Sequence, residues 1–134
     1  MQPADLDAVM AIEPVIYPYP WSRGNFSDSL AAGHSCWIAE QNRRIVGYAV
    51  LMLVLDEAHL LNISIAAGHQ GQGLGRIALE DAMKVAAEWP ADAIRLDAWD
   101  ADAGAGAFYA KCGFNQRGRV IYRGTPLVYF ERML

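Results

Sequence analysis

Apolar spacing changes several times along the chain, and each change marks an element. Leu6, Val9, Met10 and Glu13 stand at helical spacing, which predicts a first helix over roughly residues 4–13, ended by Pro14. Tyr17-Pro18-Tyr19-Pro20 is irregular, because two prolines fix the backbone and remove donors. Ser22 offers an N-cap to a short second helix whose buried face holds Phe26 and Leu30, and Gly33 closes it. Three strands follow as an antiparallel meander. Cys36 to Glu40 is short and half apolar. Arg44 to Leu55 is long and apolar enough to be buried on both faces. His59 to Ile65 completes the set, and the turns fall at Gln41-Asn42-Arg43 and Asp56-Glu57.

Four glycines then crowd into Gly68 to Gly75. Beyond them Leu74, Ile77, Ala78, Ala82, Val85 and Ala86 repeat at helical period as far as Trp89-Pro90, which predicts the longest helix, its stripe facing a sheet. Ile94 to Trp99 reads as a strand and Ala103 to Lys111 as a short helix capped by Gly113. Asn115 to Tyr122 and Leu127 to Arg132 are the last strands, joined through Arg123 to Pro126. There is no repeat, linker or low-complexity segment. The order gives an α/β or α+β class with a mixed sheet, and 134 residues make one domain, residues 1–134.

Composition narrows what this domain does. Hydrophobic residues are 54% and charged residues 19%, which excludes a disordered tail and leaves apolar surface for a ligand or partner. A net charge of −4 argues against nucleic acid and anionic membrane as partners. The longest apolar run, Ile45 to Leu55, is too short for a membrane span of about 20 residues. The N-terminus lacks the pattern of a signal peptide, and Cys36 and Cys112 read as reduced thiols, so a cytoplasmic protein is expected. The three histidines lack ligand spacing, so no metal is expected.

The chemistry concentrates in Gln70-Gly71-Gln72-Gly73-Leu74-Gly75-Arg76, between a strand and the long helix. Glycines at alternate positions let main-chain N–H groups converge at a helix N-terminus, where partial positive charge suits a phosphate or pyrophosphate. A Walker loop is excluded because GxxxxGK[ST] is absent, and the GxGxG spacing is not a dinucleotide fingerprint. A turn that binds nothing is the plain alternative.

Gln70-x-x-Gly73-x-Gly75 resembles the acetyl-CoA signature of the GNAT N-acetyltransferase superfamily. Leu55-Asp56-Glu57-Ala58-His59-Leu60-Leu61-Asn62-Ile63 and Pro20-Trp21-Ser22 look like segments of its ribosomal-protein-alanine N-acetyltransferases, the RimI type. Phe108-Tyr109-Ala110-Lys111-Cys112-Gly113-Phe114 is similar to the family's Tyr-x-x-x-Gly-Phe segment. The likeness covers nearly the whole chain. It implies a mixed, mostly antiparallel sheet flanked by helices, here lacking or truncating the first strand, with acetyl-CoA as co-substrate. By the same likeness, the backbone of Ile63, Ser64 and Ile65 would pair with the pantetheine arm. Gln70, Gly71, Gln72, Gly73, Leu74, Gly75 and Arg76 would hold the pyrophosphate, with Asp102 near the cofactor. Tyr109 stands at the general acid and Asp97 at the position of a glutamate general base.

Acetyl transfer from a thioester needs a neutral amine, a donor for developing negative charge and a proton for the departing thiolate. A phenol suits the last task. Asp97 lies in an otherwise apolar strand, where burial would raise its pKa and favour base function. Glu57 is the second candidate base and His59 the third. Cys112 reads as a small core residue rather than an acetyl carrier. Arg117, Arg119 and Arg123 make either a solvated strand face or a contact to the cofactor's phosphate. Tyr17, Tyr19 and Trp21 either wall the acceptor site or anchor a loop. An α-amine, with pKa of about 7.7–8.0, needs less help than a lysine near about 10.4. The expected acceptor is therefore a peptide or protein N-terminus. A small amine, or a non-catalytic acyl-CoA-binding module, is the alternative. The chain departs from the family where Leu96-Asp97-Ala98-Trp99-Asp100-Ala101-Asp102 replaces Leu-Glu-Val-Arg-x-x-Asn, and in its short last loop. Its state is open between monomer and homodimer.

Overall fold

The computed structural model describes residues 1–99 and 106–134. After a single 3-10 turn the elements run α1 (Leu6–Ile16), α2 (Arg23–Ala31), β1 (Ser35–Gln41), β2 (Arg44–Val54) and β3 (Glu57–Ile65). They continue with α3 (Leu74–Ala87), β4 (Ala93–Trp99), α4 (Gly106–Lys111), β5 (Asn115–Tyr122) and β6 (Thr125–Met133). Asp102 lies outside the described residues.

The strands form one sheet in the order β1-β2-β3-β4-β6-β5. All neighbours pair antiparallel except β3 and β4. This is the mixed, mostly antiparallel sheet expected, with no strand ahead of α1 among the described residues.

Alternation along β2 explains how one strand organises two cores. Tyr48 and Val50 point to one face and meet Leu6, Val9 and Ile12 of α1 and Phe26 of α2. Ala49 and Leu51 point to the other and meet Leu79, Ala82 and Ala86 of α3. The strand is buried on both faces, as its sequence predicts. Truncating Leu79 to alanine in such a site costs about 2–5 kcal/mol.

One local feature differs from expectation, and the first hairpin agrees with it. α1 does not stop at Pro14 but runs to Ile16. Proline forfeits its own helical N–H, while the residues after it keep theirs, so Tyr17 still donates to the Glu13 carbonyl at 3.2 Å. The hairpin between β1 and β2 turns through Asn42 and Arg43 at φ +53° and +63°, the left-handed pair that matches strand twist.

The feature that positions the site is a bulge in β3. Val50 faces Asn62 while the adjacent Leu51 faces Leu60, so Leu61 is the extra residue. Before the bulge Ala58 and Leu60 join the α3-side core. After it the phase reverses, and the Asn62 side chain reaches Glu13 of α1. The bulge also coincides with the end of the parallel pairing. β3 and β4 are matched from Glu57↔Ala93 to Leu60↔Leu96 and no further, although both strands continue. The two therefore splay apart.

No helix among the described residues is long and apolar enough to cross a membrane. Nor do the described residues hold a group of three or more His, Cys, Asp or Glu placed to bind a metal.

Candidate active site

Two cavities, each of about 520 Å³, open where β3 and β4 part. Their sizes fall in the range of small-molecule sites, about 300–1,000 Å³. They share Ile16, Tyr17, Ile63, Gln70 and Tyr109, so the two are continuous at one junction.

The first cavity is lined mainly by backbone-exposing segments: Ile63 to Ile65 of β3, and Gly71, Gly73, Gly75 and Arg76 around the start of α3. Gly71 and Gly73 stand at φ +79° and +80°, which L side chains rarely adopt. At both, nothing lies within 4 Å of where a Cβ would stand. The space over the loop is thus open to a ligand, and Gly73 is the N-cap of the 14-residue α3. Gln70 fixes the approach to the loop, its side-chain amide donating to the Ile65 carbonyl at 3.0 Å. Of the residues expected at this cofactor groove, Ile63, Ser64, Ile65, Gln70, Gly71, Gly73, Gly75 and Arg76 line the cavity, and Gln72 and Leu74 do not.

The second cavity is lined by side chains. Asp97 and Ala98 of β4, Leu60 to Asn62 of β3, Glu13 of α1 and the loop Tyr17 to Trp21 surround it. Glu13 is almost wholly buried, at 1% exposure. It survives there because it is satisfied: Tyr48 donates its hydroxyl to Oε2, and Asn62 Nδ2 and the Trp21 N–H reach Oε1 at 3.1 and 3.2 Å. The network extends outward. Ser64 Oγ donates to Asn62 Oδ1 at 2.6 Å, and the Tyr17 hydroxyl lies 2.8 Å from Ser64 Oγ and donates to the Ile63 carbonyl at 2.9 Å. Burial raises the pKa of Tyr17, partly offset by its bond to Ser64.

Tyr109 stands at the junction of the cavities. It is buried among Phe108, Phe114 and Phe130, with ring centroids 5.3, 5.9 and 5.7 Å away. Arg132 Nη1 holds the end of its helix by donating to the Cys112 carbonyl at 2.6 Å. Burial pushes the Tyr109 phenol above the ordinary tyrosine range, with a smaller push from its neighbours Tyr17 and Cys112. The group therefore stays protonated at neutral pH.

The candidate bases separate. Asp97 lines the second cavity with Tyr109, but its side chain is exposed, so the burial expected of it is absent. Glu57 and His59 do not reach the junction. They pair with each other at 3.1 Å near the start of β3, and Glu57 is six residues, roughly 20 Å of extended strand, before Ile63. Arg117 and Arg123 lie away from both cavities, Arg117 beside Glu131 at 3.5 Å and the Arg123 guanidinium over the Tyr122 ring at 5.3 Å. Arg119 shares β5, the far edge strand, with Arg117.

Sequence reading missed the Glu13–Asn62–Ser64–Tyr17 network. Its one local signal was a carboxylate in the apolar stripe of α1. The rest joins the end of α1 to β3, with Glu13 and Asn62 49 positions apart, through a bulge that no periodicity marks.

A strand pair that parts beside a glycine loop, with a second cavity entering from the other side, is the architecture of an acyl-coenzyme A-dependent transferase. The comparisons make this specific. The acetyltransferase (GNAT) family model matches residues 6–114, and the chain belongs to that family. It is 31% identical over 116 residues to the [ribosomal protein bS18]-alanine N-acetyltransferase of Escherichia coli K12, covering 87% of this chain and 78% of that protein. The crystal structure of the Escherichia coli ribosomal-protein-S18-alanine N-acetyltransferase superposes with a TM-score of 0.87 at 26% identity, over 99% of this chain and 90% of that one. Arabidopsis thaliana Naa50, in complex with a bisubstrate analogue CoA-Ac-MVNAL, shares the fold with a TM-score of 0.84 at 17% identity, over 100% and 95% of the two chains. This protein is an N-acetyltransferase, and its co-substrate is acetyl-CoA.

Proposed function

We propose that the chain acetylates a protein N-terminal α-amine by direct attack in a ternary complex. The observation that carries this reading is the junction: one cavity backed by a glycine loop meets a second, side-chain-lined cavity at Tyr109 and Ile63. The alanine N-acetyltransferase relative supports the choice of acceptor.

Acetyl-CoA supplies the acyl group already activated as a thioester. The chain's own residues do the rest. The edge of Ile63 to Ile65 that β4 leaves uncovered receives the pantetheine arm as an added strand, and Gly71 to Arg76 present N–H groups to the pyrophosphate. Tyr109 donates the proton that the departing thiolate takes. Asp97, directly or through a water, removes the proton from the attacking amine. An exposed aspartate is a weak base, and it suffices for an α-amine of pKa about 7.7–8.0, much of which is neutral near that pH. We place the protein in the cytoplasm, a setting that its two free thiols, Cys36 and Cys112, support.

The test is release of free CoA thiol from acetyl-CoA with a panel of acceptors. An alanine-starting peptide is expected to drive release. Release only with polyamines, amino acids or amino sugars would move the acceptor to small molecules. Acetyl-CoA binding with no release would leave a non-catalytic binding module.

A further inference from the structure

Tyr17 faces both cavities, yet acid and base chemistry leave it unused. Its position is over-determined. Its N–H bonds the Glu13 carbonyl at 3.2 Å, and four residues on, the Trp21 N–H bonds the Glu13 carboxylate at 3.2 Å. Both ends of the loop are thus tied to one buried residue. Pro18 confines the residue before it to extended backbone, and Tyr17 sits there at φ −122° and ψ 134°. The hydroxyl is tied to β3 at Ile63 and Ser64. Across the junction, Tyr109 is wedged among three aromatic rings and cannot recede.

From this geometry we infer that the Tyr17 ring sets the length of the acyl group the enzyme accepts, admitting acetyl and turning away longer chains. The inference rests on the proposed assignment of the glycine-lined cavity to acyl-CoA. An acyl group carried there on its thioester must end at the junction, where the attacking amine arrives from the other side. The ring that borders both cavities from the α1 side is held at three points. A methyl needs little room beside it. Each further methylene must pass this tethered ring toward the second cavity, and one methylene in a shaped pocket is worth about 10- to 200-fold in discrimination.

The experiment is calorimetric binding of acetyl-CoA and butyryl-CoA to the intact protein and to Tyr17→Ala, Tyr17→Leu and Tyr17→Phe. It needs no acceptor. The unsubstituted protein is expected to prefer acetyl-CoA by at least about tenfold. Tyr17→Ala should shift that ratio toward butyryl-CoA by about tenfold or more, and Tyr17→Phe, which keeps the ring, should hold it within about threefold. Should Tyr17→Ala fail to fold by circular dichroism, Tyr17→Leu carries the test in the same direction. An unchanged ratio in the folded small-residue variants overturns the inference. So does an equal shift in Tyr17→Phe, because ring size would then not be the determinant. Failure of the unsubstituted protein to bind either acyl-CoA overturns the cofactor assignment itself, a distinguishable result.

Discussion

The two cavities that meet at Tyr109 are made of different material. The glycine-lined one is built largely from main chain: a strand edge that β4 leaves uncovered, two left-handed glycines and a helix N-terminus. The other is built from side chains that arrive from α1, its following loop, β3 and β4, and it is held by a buried carboxylate. A main-chain site depends on backbone conformation and is indifferent to most side chains. A side-chain site depends on packing and hydrogen bonding among residues far apart in sequence. The first suits a co-substrate common to a whole family. The second lets one member differ from another, which fits the departures at Asp97 and Ala98 from the family's usual glutamate and valine.

The largest expected effect probes Tyr109, one of the residues that belong to both. Tyr109→Phe should lower kcat by about 100- to 10,000-fold, the range for loss of a general acid, while the acetyl-CoA Kd stays within about threefold. Steady-state kinetics set beside calorimetry checks the split. Unchanged kcat would remove the proton-donor role.

The next effect separates the cavities by stability. Glu13→Ala strips the acceptor from Tyr48, Asn62 and the Trp21 N–H. Leaving a buried donor unpaired costs about 1–3 kcal/mol, so the variant should lose at least about 3 kcal/mol in urea unfolding. A loss under about 1 kcal/mol would show that the network is not what holds the second cavity.

The smallest effect contrasts two glycines in one loop. Gly73→Val forces a β-branched residue to φ +80°, a strain of about 1–3 kcal/mol, and acetyl-CoA binding should weaken roughly 5- to 150-fold. A Cβ at Gly75 would stand 3.5 Å from Phe108 Cζ, an ordinary contact. Gly75→Ala should therefore change binding by less than about threefold. Equal effects at both positions would mean that side-chain space, not backbone conformation, governs the groove.

The same contrast decides what could be read in advance. The glycine loop was legible because left-handed backbone recruits glycine, so a main-chain requirement leaves a residue-type trace at short range. The order of elements along the chain and the two-sided burial of β2 were legible from period and alternation; the structure puts Tyr48 and Val50 of β2 on one face and Ala49 and Leu51 on the other. The side-chain cavity was not. Glu13 meets Asn62 across 49 positions, and only because Leu61 bulges and reverses the faces of β3. Glu57, the second candidate base, lies before that bulge and pairs with His59 instead. α1 outran Pro14 because proline removes one donor and not the bonds that follow it.

The central claim is that acetyl passes through this junction to an α-amine. It is tested most directly by mapping the product of one alanine-starting peptide that also carries an internal lysine, incubated with acetyl-CoA and analysed by fragmentation mass spectrometry. The account predicts one acetyl group on the N-terminal nitrogen, with one free CoA thiol for each peptide modified. Acetyl on the lysine, or a peptide left unmodified while the protein binds acetyl-CoA, would contradict it.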